Sequence, residues 1–245
     1  MKYVVGDIHG EITKLTRLCD YIISDDQKPE FIFIGDYLDK GENVYETLVF
    51  LNDLQNRFDC TFLYGNHEFY WLNYVEEDTT IEKYLLKYGG LATITSMDAK
   101  SLIDCKERLL DQFSSFFGSL QSHWMNANYI AVHSGISPKD FQLPITAIPL
   151  KNLLFNRYDF FKHQDLYLGK YQIIFGHTGF FTPFIDNYKI GIDTAACFLE
   201  EQPLTAFCLD NLAFYNSENK CFFSKDLPKN QCPNIPRNQP WRNKC

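Results

Sequence analysis

No stretch of 18 consecutive apolar residues occurs in this chain of 245 residues, so no membrane-spanning helix is expected. The eight cysteines contain no C-x-x-C pair and no regular spacing, which argues against a zinc knuckle or a disulfide framework and leaves reduced thiols as the expectation. Positive charge is also short: 23 Lys and Arg against 31 Asp and Glu leave a formal net charge of -8. Affinity for nucleic-acid backbones comes mostly from Lys and Arg, so no nucleic-acid partner is expected. An acidic protein with an anionic substrate needs a local positive centre, and bound divalent cations can supply one. Nor does an apolar leader precede the first polar motif, since Lys2-Tyr3-Val4-Val5 runs straight into Gly6; a cytoplasmic protein is expected. No internal repeat is evident.

Aromatics are abundant instead, with 22 Phe and 15 Tyr to fill a core and line a cleft. A single α/β domain can run to this length without dividing, and one catalytic domain over residues 1–224 is expected. Five short β-rich apolar runs each end at glycine or at a polar residue able to bind a cation. Tyr3-Val4-Val5 leads to Gly6-Asp7, Phe31-Ile32-Phe33-Ile34 to Gly35-Asp36, and Phe62-Leu63-Tyr64 to Gly65-Asn66-His67. Tyr129-Ile130-Ala131-Val132 leads to His133, and Ile173-Ile174-Phe175 to Gly176-His177. Such runs read as buried strands. Between the first three lie apolar residues at helical spacing, Ile12, Leu15, Leu18, Cys19 and Ile22, then Val44, Leu48, Leu51 and Leu54. The order βαβαβ with right-handed crossovers makes these strands parallel neighbours. Their C-terminal ends then share one edge, where open α/β sheets hold ligands.

Residues 69–125 break this rhythm and read as mainly helical, either a cap over the site or plain packing of aromatic stripes. Segments 189–193, 204–209 and 212–215 are expected to build the antiparallel side of a second sheet. In 225–245, Pro228, Pro233, Pro236 and Pro240 stand among Asn, Gln, Lys and Arg and predict a flexible or extended tail.

The chemistry gathers at the strand ends. Gly6-Asp7-Ile8-His9-Gly10 sets a carboxylate and an imidazole two positions apart, able to grip one cation from the same side. Gly35-Asp36-Tyr37-Leu38-Asp39-Lys40-Gly41 and Gly65-Asn66-His67-Glu68 follow, then His133 and His177. A lone histidine after a strand is ordinarily a hydrogen-bonded structural residue, but three motifs and two histidines in order at strand ends are not explained that way. Mixed carboxylate, imidazole and amide donors suit Mn²⁺, Fe²⁺ or Zn²⁺ and fit a thiolate-selected metal poorly.

These residues resemble the calcineurin-like metallophosphoesterases, specifically the phosphoprotein phosphatase branch, with its GDxHG, GDxxDRG, GNHE, H(A/G)G and GHT pattern. The resemblance runs from about Lys2 to Tyr215. Gly89-Gly90-Leu91-Ala92-Thr93, Leu153-Leu154-Phe155-Asn156-Arg157 and Ile192-Asp193-Thr194 are similar to further segments of the bacterial serine/threonine protein phosphatases. The resemblance implies an α/β fold, a four-layer αββα sandwich of two mixed β-sheets flanked by helices, with a helical cap insertion at about 69–125. It implies that Asp7, His9 and Asp36 bind one metal ion and that Asp36, Asn66, His133 and His177 bind the other. Mn²⁺ is the expected ion, with Fe²⁺ or Zn²⁺ as alternatives. Two such cations about 3.5–4 Å apart can activate a bridging water and clamp the phosphoryl oxygens of an in-line displacement.

In the same family His67 is the general acid, which Asp39 would orient, and Arg157, Lys40 and Asn66 would hold the substrate phosphate. Lys40 departs from the pattern, which has Arg there; a lysine is a point charge without the bidentate fork. The implied function is hydrolysis of phosphoserine and phosphothreonine in proteins. An ApaH-like dinucleoside polyphosphate hydrolase is the alternative, since that group often carries Lys at this position. A non-catalytic binding module of the same fold should lack ligands or the acid histidine, and this chain retains all of them. The expected partners are therefore a phosphorylated protein or a small phosphoester or nucleotide. Glu68 reads as a residue that supports the ligands from behind or starts a helix beside the site, not as a ligand, and His123 and His163 as ordinary.

Overall fold

The computed structural model describes residues 1–227. The first half alternates as the apolar periodicity predicts: β1 (Lys2–Val5), α1 (Ile12–Asp25), β2 (Glu30–Phe33), α2 (Val44–Leu54) and β3 (Asp59–Phe62). Four helices follow, α3 (Asn66–Asn73), α4 (Thr79–Lys87), α5 (Gly90–Ser96) and α6 (Leu102–Gly118). The second half runs β4 (Trp124–Met125), β5 (Tyr129–Ala131), α7 (Leu150–Leu154), α8 (Tyr158–Lys162), β6 (Gln172–Phe175), β7 (Phe184–Ile185) and β8 (Lys189–Gly191). It closes with β9 (Thr205–Cys208), β10 (Ala213–Asn216) and β11 (Cys221–Phe223).

Two mixed sheets result, six strands in the order β11-β10-β9-β1-β2-β3 and five in the order β4-β5-β6-β8-β7. The alternation of side chains along each strand assigns the layers. In β1, Val4 joins Ile32, Ile174, Ile190 and Phe207 in the core between the sheets. Its neighbours Tyr3 and Val5 turn the other way, onto Leu15, Leu18 and Ile22 of α1. In the second sheet Ile130 and Ile173 pack away from the sandwich, against Leu153, Phe160 and Phe161 of α7 and α8. Helices thus flank both outer faces. The helices between β3 and β4 divide their duties: Phe113, Phe116 and Phe117 of α6 are buried in the core with Phe62, while Tyr84 and Lys87 of α4 line a cleft.

Parallel pairing of β1, β2 and β3 holds, with Tyr3 opposite Phe31 and Phe31 opposite Cys60. Three details differ from the sequence expectation. The third strand begins earlier, at Asp59, because it is a sheet edge whose exposed Asp59 and half-exposed Cys60 and Thr61 carry no apolar signal. Of the segments expected on the antiparallel side of the second sheet, β9 and β10 are antiparallel but belong to the first sheet, where β9 pairs with β1. The third, β8, does join the second sheet, but parallel to β6. Strands buried on both faces look alike in apolar content, so partner choice is set by backbone pairing that hydropathy does not encode. The predicted tail at 225–245 lies outside the described residues except for 225–227.

Candidate active site

Loops leaving β1, β2, β3, β5 and β6 converge at one edge, and the backbone there is unusually bent. His9, Asp36, Asp39, Lys40 and His177 all have positive φ, between 49° and 69°. Each such non-glycine conformation costs about 1–3 kcal/mol and persists only where the surroundings over-determine it. Close approach makes the rest of the shape. A side chain on Gly65 would sit 2.2 Å from the amide nitrogen and Oδ1 of Asp36, and one on Gly176 would sit 2.1 Å from Asp7 Oδ1.

Asp36 lies at the centre. Its Oδ2 is 3.2 Å from His9 Nε2, and its Oδ1 is 3.4 Å from His133 Nε2 and accepts the His67 amide at 3.2 Å. Burial alone would raise its carboxyl, but His133, His67 and His9 around it hold it well below the usual carboxylate range. Two groups of potential ligands share it: His9, Asp36 and His67, and Asp36, His133 and His177, with the donor atoms in each within 4.8 Å of one another.

The hydrogen bonds around the donor set leave lone pairs turned toward one another. His133 Nδ1 is 2.9 Å from the Ile34 carbonyl, which can only accept, so Nδ1 carries the proton. Burial lowers the His133 pKa, so the ring is neutral and Nε2 presents a lone pair. That lone pair faces Asn66 Oδ1 at 2.8 Å, while Asn66 Nδ2 is committed to the Tyr84 hydroxyl at 2.6 Å. Two acceptors meeting in a buried site fit a cation between them. His9 shares the tautomer but not the open lone pair: Nδ1 donates to the Leu38 carbonyl at 2.7 Å, burial with Lys40 nearby brings its pKa down to about 4, and Nε2 accepts from the Lys40 ammonium. Asp7 accepts the His177 amide on Oδ2 at 2.9 Å, and its buried Oδ1 has no hydrogen-bond partner among the described residues. Burial, then Asp193 and Asp36, push its carboxyl well above the ordinary value. Burial followed by Arg157 holds His177 well below its own. Crowded acids, neutral imidazoles and an orphaned carboxylate oxygen all fit divalent cations.

His67 occupies a different kind of position. Its Nδ1 is 2.6 Å from Asp39 Oδ2, and Nε2 points into the site, 3.9 Å from Asp36 Oδ2. Asp39 is wholly buried, and its Oδ1 accepts Trp71 Nε1 at 2.7 Å and the Thr93 hydroxyl at 2.5 Å. Thr93 Oγ1 in turn accepts the Asp39 amide at 2.9 Å. Sequence reasoning found the His67–Asp39 pair but missed Trp71 and Thr93. Only Thr93 had a signal, the GGLAT segment.

Glu68 stands at the helix start beside the site, as expected. Its carboxylate accepts four backbone N–H groups, those of Asp36, Tyr37, Leu38 and Gly65, at 2.8–3.1 Å. It ties the start of α3 to the Asp36 loop. Burial and Asp36 push its pKa up to about 7, against those donors.

Beside this cluster lies a cleft of about 450 Å³, lined by Lys40, Arg157, Asp193 and the rings of Tyr84, Tyr88, Phe155 and Phe198. The Lys40 ammonium donates to His9 Nε2 at 2.7 Å and lies 4.6 Å over the Phe198 ring. Burial opposes its charge, but Cys197, Asp36, Asp193 and Asp7 raise its pKa. Asp193 had been legible only as part of the Ile192-Asp193-Thr194 segment, and Tyr84 and Phe198 had no signal of their own. Outside the cleft, His123 bonds Ser122 and His163 packs on Phe141, away from the site chemistry.

The asymmetrical bis(5'-nucleosyl)-tetraphosphatase PrpE of Oceanobacillus iheyensis is 24% identical over 225 residues, 80% of this chain and 84% of that protein. Serine/threonine-protein phosphatase 2B catalytic subunit A2 of Saccharomyces cerevisiae is 32% identical over 139 residues, 56% of this chain but 20% of that protein. The chain therefore spans about a fifth of the yeast protein. A solved cold-active protein-tyrosine phosphatase from a psychrophilic Shewanella shares the fold, with a TM-score of 0.65 at 15% identity over 90% of this chain and 79% of that one. A family model described as calcineurin-like phosphoesterase matches residues 3–209, and with these motifs at these strand ends the chain belongs to that family.

Proposed function

We propose that the protein is a metal-dependent phosphomonoesterase that uses His67 as general acid and acts on phosphoserine or phosphothreonine in proteins. The observation that carries the reading is two donor groups sharing Asp36, His9–Asp36–His67 and Asp36–His133–His177, in which His67 alone turns its Nδ1 to a buried carboxylate, that of Asp39. In the proposed assignment Asp7, His9 and Asp36 hold one divalent ion and Asp36, Asn66, His133 and His177 the other, Mn²⁺ ahead of Fe²⁺ or Zn²⁺. When bound, two such ions supply a nucleophilic water at neutral pH and neutralise charge on the phosphoryl oxygens.

The chain's own residues do the rest. Asp39, held by Trp71 and Thr93, accepts from His67 Nδ1 and fixes the ring, so that Nε2 faces the leaving oxygen as its proton donor. Arg157 offers a planar fork to two phosphoryl oxygens, and Lys40 adds a point charge beside His9.

A second reading, a dinucleoside polyphosphate hydrolase, is favoured by the likeness to the Oceanobacillus enzyme over most of both chains and by Lys40 in place of Arg. Phosphate release by metal-stripped protein, with and without Mn²⁺, tests the proposal. Release from a phosphoserine or phosphothreonine peptide only with the ion is expected. Cleavage of diadenosine tetraphosphate alone moves the assignment to the second reading, and turnover of neither substrate with the ion sinks both.

A further inference from the structure

The cleft carries an aromatic wall that the phosphoryl chemistry does not use. Tyr84, Lys87 and Tyr88 are spaced i, i+3, i+4, so α4 and its C-terminal residue present them on one face, and all three line the cleft. The Tyr84 ring is 6.0 Å from the His67 ring, and its hydroxyl accepts from Asn66 Nδ2. Tyr88 follows at 4.5 Å, one helical turn or about 6 Å farther along the axis. Tyr70 stacks behind Tyr84 at 3.6 Å and meets Phe155 at 5.5 Å, which fixes the rings as a block. Unlike the phenylalanines of α6, the rings of Tyr84, Tyr88 and Phe155 are only half-buried, and Lys87 is exposed beside them.

A general acid must stand next to the leaving oxygen, so a wall that starts at His67 lies where the leaving group departs. We propose that Tyr84, Tyr88 and Phe155 form a leaving-group subsite for a planar aromatic ring, with Lys87 available to a further anionic group. The inference rests on the metal-dependent phosphatase reading of the site and departs from its phosphoserine and phosphothreonine assignment, placing ring-bearing esters, nucleotides or phosphotyrosine, ahead of both. Stacking is sequence-tolerant in chemistry, since any flat ring offers a π-face, and on aromatic platforms one stacked base changes affinity by about tenfold or more.

Binding to the full-length, Mn²⁺-loaded protein tests this by calorimetry on two matched pairs, each ligand supplied as its methylenephosphonate, which has no ester bond to hydrolyse. Adenosine 5'-monophosphate is compared with ribose 5-phosphate, and phosphotyrosine with phosphoserine. In at least one pair the ring-bearing member should bind about tenfold tighter. That preference should shrink toward one in both Tyr88→Leu and Phe155→Leu. The responsive pair identifies the source of the ring. A ratio near one in both pairs for the natural protein overturns the subsite, as does a preference that survives both substitutions. Phosphate release is scored separately: release with a ratio of one sinks the subsite alone, and a tenfold ratio without release from any ester sinks the catalytic reading alone.

Discussion

At the scale of single residues, the site is governed by how completely its buried acids are hydrogen-bonded. Asp39 spends its lone pairs on His67, Trp71 and Thr93, so an amide in its place would turn donors toward donors. Asp39→Asn should lower kcat by about 10²–10⁴ with Mn²⁺ saturating, and a steady-state rate within threefold of the natural protein would remove Asp39 from the proposed mechanism. Glu68 is a structural counterpart. Glu68→Ala leaves four buried N–H groups without their acceptor and should cost about 3 kcal/mol or more. Urea unfolding of the metal-free protein measures it, and a change below about 1 kcal/mol would mean that water replaces the carboxylate.

At the scale of elements, each ligand's placement depends on the turn that ends a strand. The turn after β6 lets Asp7 rest against Gly176 while accepting the His177 amide, joining the two sheets through one carboxylate. Gly176→Ala drives a methyl group into Asp7 Oδ1. Cation affinity should fall at least tenfold while circular dichroism stays native, and unchanged Mn²⁺ affinity by titration would exclude Asp7 as a ligand. Much of this level was legible early. The helical spacing of Leu15, Leu18 and Ile22 marked the face of α1 that β1 covers, and the glycines marked the strand ends. The third strand was misplaced because an edge strand half open to solvent lacks the apolar run that betrays a buried one.

At the scale of the whole molecule, five loops from two sheets meet at the proposed cation site, so binding there should tie the sandwich together. Mn²⁺ at 100 times its Kd should add about 2.7 kcal/mol of stability, which raises Tm by about 5–10 °C for a domain of this size. Chelation should reverse the shift, and Asp36→Asn should abolish it. A melting temperature indifferent to Mn²⁺ would show that these residues converge without binding it.

Sequence alone determined the local features: which runs become strands, which faces of α1 and α2 are apolar, and which polar residues stand at strand ends. Those follow from side-chain periodicity and turn chemistry, which act over a few residues. Tertiary structure alone decided that β9 and β10 flank β1, that Glu68 holds a loop 32 residues away, that Thr93 supports Asp39 across 54, and that Tyr84 faces His67. Such partners are chosen by backbone pairing and by burial of polar groups that must find an acceptor once water is gone. No local pattern announces them, because the cost they avoid exists only in the folded interior.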